Sequence, residues 1–148
     1  MAVKAIPDGY HSVTPYLVVK GAAQLIDFLK EAFGAQETFR MPGGGGIMHA
    51  EVRIGDSVLM MSDALDAEDH GPKPAMLHLY VEDVDAVYRR ALQAGATSIR
   101  EPEDQFYGDR SGGVKDAFGN QWWIATHVED VPVEELERRQ RELAQRQA

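Results

Sequence analysis

The sequence predicts an α+β protein made of two tandem βαβββ modules followed by a helical tail. Three observations point there. A strand-then-helix pattern that begins near residue 12 recurs near residue 76, and each helix ends on a glycine, Gly34 or Gly95. Each module also closes on a glycine-turn hairpin, and "RIGDSVLMM" and "AFGNQWWIA" superpose on Gly55 and Gly119. Self-similarity of this kind implies copies of a unit that cannot bury its sheet alone. With 148 residues, 44% of them hydrophobic, the chain is long enough for such a pair.

Taken in order, "SVTPYLVV" (12–19) alternates as a strand. "GAAQLIDFLKEAFGA" (21–35) has helical spacing, with Ala22, Leu25, Phe28, Leu29 and Ala32 on one side and Gly34 suited to the residue after the last turn. "QETFRM" and "IMHAEVRI" are strands around the loop "PGGGG", whose glycines leave no side chain to hold it, so it is expected to be mobile. Strands on both sides distinguish it from a phosphate loop, which leads into a helix. The turn "GDS" and the strand "VLMMS" complete module one, residues 12–63, and "DALDAEDHGPKPA" reads as an acidic linker. Module two, residues 75–130, has the strand "MLHLYV" (76–81) and the helix "DVDAVYRRALQAGA" (83–96). That helix is capped by Asp83 and turns Val84, Val87, Ala91 and Ala94 inward. Strands near 97–101, 110–118 and 121–127 follow. Residues 1–130 form one domain in this reading.

Residues 131–148 form the tail. Pro132 suits the first helical position, and Glu134/Arg138, Glu135/Arg139 and Glu137/Arg141 stand four apart, each pair contributing about 0.2–0.5 kcal/mol. Its apolar stripe of Val133, Leu136 and Leu143 is thin, so a solvated helix is expected.

A net charge of -9 and a pI near 4.9 argue against nucleic acid or anionic membrane as partner. The absence of cysteine excludes disulfides, a thiolate nucleophile and thiolate-held metals. The polar, Pro- and Gly-broken start "MAVKAIPDGYHSV" fits neither a leader nor a membrane span, so a cytoplasmic protein is expected.

The stretches "TPYLVV", "MHAEVRIGDSVLMMSD", "LYVEDVDAVYRRALQAGA" and above all "YGDRSGGVKDAFGNQWWIATHVEDV" resemble the vicinal oxygen chelate superfamily, which includes glyoxalase I, bleomycin-resistance proteins and extradiol dioxygenases. The likeness is to its PhnB-like branch and runs from about residue 12 to 131, with Asp116-Ala117 where the superfamily usually has Asp-Pro. This resemblance implies an eight-stranded, half-open cupped mixed sheet with helices on the convex face and a ligand or divalent metal on the concave one. It also implies a homodimer, in some members with cups completed across two chains. Metal-using members carry one ligand on the first and one on the last strand of each module.

Alternation assigns faces. Val13, Leu17, Val19, Leu77, Leu79 and Val81 should lie under the helices, leaving Thr14, Tyr16, Val18, Met76, His78 and Tyr80 in the cup. Met48, Ala50, Val52 and Ile54 form an apolar face, with Ile47, His49, Glu51 and Arg53 on the other. The Gly55/Gly119 register places Leu59 and Met61 beside Trp123 and Ala125 in the cup, with Trp122, Ile124 and Thr126 toward the helices.

The superfamily's metal positions then map to Thr14, Leu59 or Met60, Met76 or His78, and Trp123. Thr and Leu cannot ligate such an ion, Met is a poor ligand for it and Trp offers only a donor. No cofactor is therefore expected. The alternative is a divalent ion such as Fe, Mn, Ni or Zn on His49, Glu51 and His78, two histidines and a carboxylate. By the resemblance, the "YGDR" loop closes one mouth of the cup, with Asp109 and Arg110 as polar groups and Arg110 suited to a ligand carboxylate or phosphate. His11 and His70 read as surface residues and His127 as a strand-edge residue.

Two functions follow. In the first, the cup binds a small organic molecule without metal, using Thr14, Tyr16, His49, Glu51, Leu59, Met61, Met76, His78, Tyr80, Asp109, Arg110 and Trp123. In the second, the protein is an enzyme of lyase, isomerase or dioxygenase type. Its site would be an unorthodox metal centre or a metal-free acid/base pair of His49 and Glu51.

Overall fold

A computed structural model describes residues 2–65 and 71–147, so His70 and residues 66–69 of the linker lie outside the described residues. The chain runs β1 (Tyr16–Val19), α1 (Ala22–Phe33), β2 (Gln36–Gly43), β3 (Gly46–Ile54), β4 (Ser57–Asp63), β5 (Met76–Tyr80), α2 (Val84–Gln93), β6 (Thr97–Asp104), β7 (Asp109–Lys115), β8 (Gln121–His127) and α3 (Val133–Arg146). The βαβββ order occurs twice, as the sequence predicts. The eight strands are divided between two four-stranded sheets, ordered β1-β4-β3-β2 and β5-β8-β7-β6. In each, the first strand runs parallel to the last and the other pairs are antiparallel, so both sheets are mixed.

One helix covers one face of each sheet. Ala22, Leu25, Ile26, Phe28, Leu29 and Ala32 of α1 are buried, as are Val84, Val87, Tyr88 and Ala91 of α2. The helices pack on each other, and the Phe33 and Trp122 rings meet at 4.9 Å, so one core joins the modules. Asp83 caps α2 by accepting from the Ala86 N–H at 3.1 Å. Helix α1 has no cap from its own start. Instead Asp63, at the end of β4, accepts from the N–H groups of Gly21 (2.9 Å), Ala22 (2.8 Å) and Ile47 (2.7 Å). Burial pushes this carboxyl up, but the three backbone donors outweigh it and hold Asp63 below the usual carboxylate range.

Trp122 is the large core aromatic of module two, and Asp116 secures it. The Asp116 carboxylate accepts from the Trp122 Nε1–H (2.9 Å) and from the backbone N–H groups of Phe118 (2.9 Å) and Asn120 (3.0 Å). These bonds end β7 at Lys115, short of the residue 118 that the sequence suggested, and they order the turn without a proline.

Several sequence expectations are corrected. Val13 is 84% exposed, because the ladder begins only after Pro15, which has no N–H to give it. Within "PGGGG", Pro42, Gly43 and Gly46 belong to strands, and only Gly44 (φ 61°) and Gly45 (φ 82°) make the turn. Two consecutive positive φ values are those of a tight type I′ hairpin, which glycine adopts without strain. A bulge at Met48, where Met41 pairs with His49 but Pro42 with Ile47, reverses the parity of β3. Ile47 is therefore buried and Met48 57% exposed, the opposite of simple alternation. Pro132 is the N-cap of α3 rather than its first helical residue. Of the tail's expected pairs Glu135–Arg139 forms at 3.0 Å, while Arg138 turns to Glu135 and Glu142.

Candidate functional site

The helices leave one face of each sheet open. On the first sheet, strand pairing puts Tyr16, Phe39, His49, Glu51 and Met60 on that face. Three of these form a chain of polar groups. The Tyr16 hydroxyl lies 3.0 Å from His49 Nδ1, and His49 Nε2 lies 2.8 Å from Glu51 Oε2. Tyr10, from the segment before β1, donates its hydroxyl to Glu51 Oε1. Burial raises Glu51, yet the bonds from Tyr10 and His49 prevail and keep it below the ordinary carboxylate range. A cleft of about 320 Å³ adjoins, lined by Tyr16, Val18, Ile47, Met48, Ser62 and Lys73 among others.

The second open face carries His78, Trp123, Gly113 and Arg100 in one row across β5, β8, β7 and β6. Trp123 lies flat across Gly113, where an added Cβ would stand 2.7–2.9 Å from its ring carbons. Trp122 enters the core and Trp123 faces the open side, as alternation requires. Tyr80 packs edge-on against His78 at 4.9 Å and donates to Asp109 at 2.8 Å. His127 stands between two carboxylates, with Nδ1 2.8 Å from Asp109 and Nε2 2.7 Å from Asp130. Those two acceptors raise His127 above its usual value, since only the imidazolium can donate from both nitrogens. Asp109 is raised by burial, but the donors His127 and Tyr80 outweigh this and leave it lowered. A cleft of about 340 Å³ on this face is lined by Met76, Leu77, His78, Arg100, Tyr107, Ser111 and Trp123.

The structure thus gathers Tyr16, His49 and Glu51 on one open face, and Met76, His78, Tyr80, Asp109 and Trp123 on the other. It removes four predicted residues from them. Leu59 and Met61 pair with Val52 and Ala50 and are buried beneath α1, so they line no cup. The Gly55/Gly119 alignment misled because Ile54 and Ser57 close a two-residue turn, whereas Lys115 and Gln121 flank five residues. An odd difference in turn length reverses the face of every following residue. Arg110 points to the helix side, paired with Asp85 (2.9 Å) and Asp104 (3.3 Å), and these carboxylates push it above its ordinary value. Thr14 precedes β1 and has no place in the ladder.

Tyr10, Phe39, Arg100, Tyr107 and Ser111 are the residues that sequence reasoning missed, and Met60 entered it only as the alternative to Leu59 at a mapped metal position. Turn length could have decided for Met60. Nothing local marks Tyr10, whose partner is 41 residues away, and the irregular pairing of β6 around Pro102 hides the parity of Arg100.

The donors present do not fit a divalent ion. Among the described residues, no three His, Asp or Glu side chains stand close enough to share one. Tyr10 and Tyr16 already occupy the outer positions of the His49–Glu51 pair. Of the residues mapped for a metal, Thr14, Leu59 or Met60, Met76 or His78, and Trp123, only His78 is a competent ligand.

A family model described as the glyoxalase/bleomycin resistance protein/dioxygenase superfamily matches residues 9–124. An uncharacterized protein of Mycobacterium bovis is 39% identical over 147 residues, covering 93% of this chain and 94% of the relative. Among solved structures, TioX from Micromonospora sp. ML1 has a TM-score of 0.69 at 24% identity, covering 80% of this chain and 99% of its own. A PhnB protein from Bacillus cereus has a TM-score of 0.62 at 18% identity, with coverage of 78% and 99%. At those identities the structures establish a shared fold, while the family match spans most of the sequence. The chain belongs to the glyoxalase/bleomycin resistance protein/dioxygenase superfamily.

Proposed function

We propose that this protein binds a small organic molecule on the open faces of its sheets, without a metal. The observation that carries the reading is the make-up of those faces. On the first face Tyr16 and Phe39 are 45% and 47% exposed around His49 and Glu51, and on the second Met76 and Tyr80 are 69% and 59% exposed near His78 and Trp123. Apolar and aromatic walls around a small number of polar groups are what small-molecule sites require, and flat rings offer stacking area at low entropic cost. The two clefts are lined separately, and neither draws a strand residue from the other sheet. A second copy of the chain would bring faces together, so the reading includes a homodimer. A cytoplasmic setting belongs to it as well.

Metal content tests this first. Protein exposed in turn to Fe(II), Mn(II), Ni(II) and Zn(II), then dialysed, should retain none by elemental mass spectrometry. Retention near one ion per chain that is lost in His49→Ala would overturn the reading and revive a metal enzyme.

One observation favours a second reading. The Tyr16–His49–Glu51 chain could move a proton to or from a bound molecule without metal, Glu51 orienting the imidazole. Solvent exchange of a carbon-bound proton on a bound ligand, abolished in His49→Ala, would identify it.

A further inference from the structure

Arg100 is not accounted for by the fold. Its Nη2 donates to the Ser111 hydroxyl (2.6 Å) and carbonyl (3.2 Å), and its Cζ stands 5.1 Å from the centre of the Trp123 ring. The buried Nε–H has no hydrogen-bond partner, the one such side-chain atom among the described residues. Among those residues Arg100 also forms no ion pair, whereas Arg110, Arg138 and Arg139 each hold carboxylates. A buried donor left unmet is unfavourable, and no carboxylate among the described residues balances the charge of this half-buried guanidinium. Its surroundings are a cleft, with Trp123 and Tyr107 as aromatic walls, and Met76 and His78 nearby.

The site is also built to hold this arrangement. Gly113 lies directly between Arg100 and Trp123 in register, and its missing side chain lets the indole reach across β7 toward the guanidinium. Ser111 is 2% exposed and anchors the guanidinium through Nη2, leaving Nη1 with no acceptor among the described residues. The neighbouring Asp109 does not compete, being held by Tyr80 and His127.

We infer that this cleft takes a planar organic anion, an aromatic or conjugated carboxylate, with the carboxylate on Arg100 and the flat body against Trp123. This rests on the small-molecule reading above and names its ligand class. Guanidinium matches a carboxylate with parallel donors, and the stacked ring supplies the apolar contact. Without Arg100 the cleft would be an aromatic surface that accepts neutral molecules as readily.

Calorimetric titration of the full chain with 1-naphthoate and with its neutral counterpart 1-naphthamide separates the two ideas. The carboxylate should bind saturably and the amide roughly 10- to 100-fold more weakly. Added salt should weaken only the carboxylate, and Arg100→Gln should abolish the preference while Trp123→Leu weakens both ligands. The wild-type comparison and the salt series need no variant, so a folding defect in Arg100→Gln leaves the test intact. Equal binding of the two compounds would overturn the anion assignment and leave the small-molecule reading standing. A structural Arg100–Trp123 tether predicts that outcome. Binding of neither would overturn the assignment and count against the small-molecule reading.

Discussion

His127 shows how two neighbours set a residue's chemistry. Asp109 and Asp130 raise its pKa because each accepts from one nitrogen of the charged ring. The folded value lies above the unfolded one, near 6.5. The stabilisation is therefore complete below about pH 6.5 and is lost as pH rises through the folded value. A proton-resonance titration of His127 should give a midpoint above that of a free histidine, and Asp130→Asn should lower it. A midpoint at or below the free value would show that the clasp does not exist in solution. Alternation along β8 puts His127 on the Trp123 side, but its carboxylate partners come from the start of β7 and the loop after β8. Proximity of that kind has no sequence signature.

At the scale of elements, α3 is the least integrated piece. None of its residues is buried, and its attachment runs through Arg139, which donates to Glu129 (2.8 and 2.9 Å) and to the Phe106 carbonyl (3.1 Å). Arg138 and Arg139 pull Glu135 down to about 2, which fits a helix held by exposed ion pairs. Such pairs contribute little and are screened by salt. Deleting residues 133–148 should lower the thermal midpoint by no more than about 4 °C. In the full chain, α3 amides should exchange faster at high salt while those of β8 do not. A large loss of stability on deletion would mean that the tail covers part of the core. The helices themselves were legible because both are strongly amphipathic and end at glycine. Strand faces were legible only where pairing is regular, and the Met48 bulge and the unequal turns at Gly55 and Gly119 defeated them.

For the whole molecule, the open faces raise the question of assembly. Exposed Tyr16, Phe39, Met76 and Tyr80 form apolar surface that a monomer would leave in water. Burying one such side chain contributes about 1.5–3 kcal/mol. Sedimentation velocity should find two copies per particle, and Met76→Glu should shift the distribution toward the single chain. A wild-type monomer at high micromolar concentration would remove the homodimer from the proposed function.

The sequence by itself determined the duplicated βαβββ order, both helix faces and their ends, and the division of Trp122 from Trp123. These follow from local periodicity and punctuation, which a chain carries whatever it packs against. Tertiary structure alone decided that Leu59, Met61 and Arg110 leave the open faces, that Tyr10 reaches Glu51, and that Arg100 stands over Trp123. Each of these depends on register between strands, where one residue of bulge or turn reverses a face and a hydrogen bond can join residues far apart in the chain.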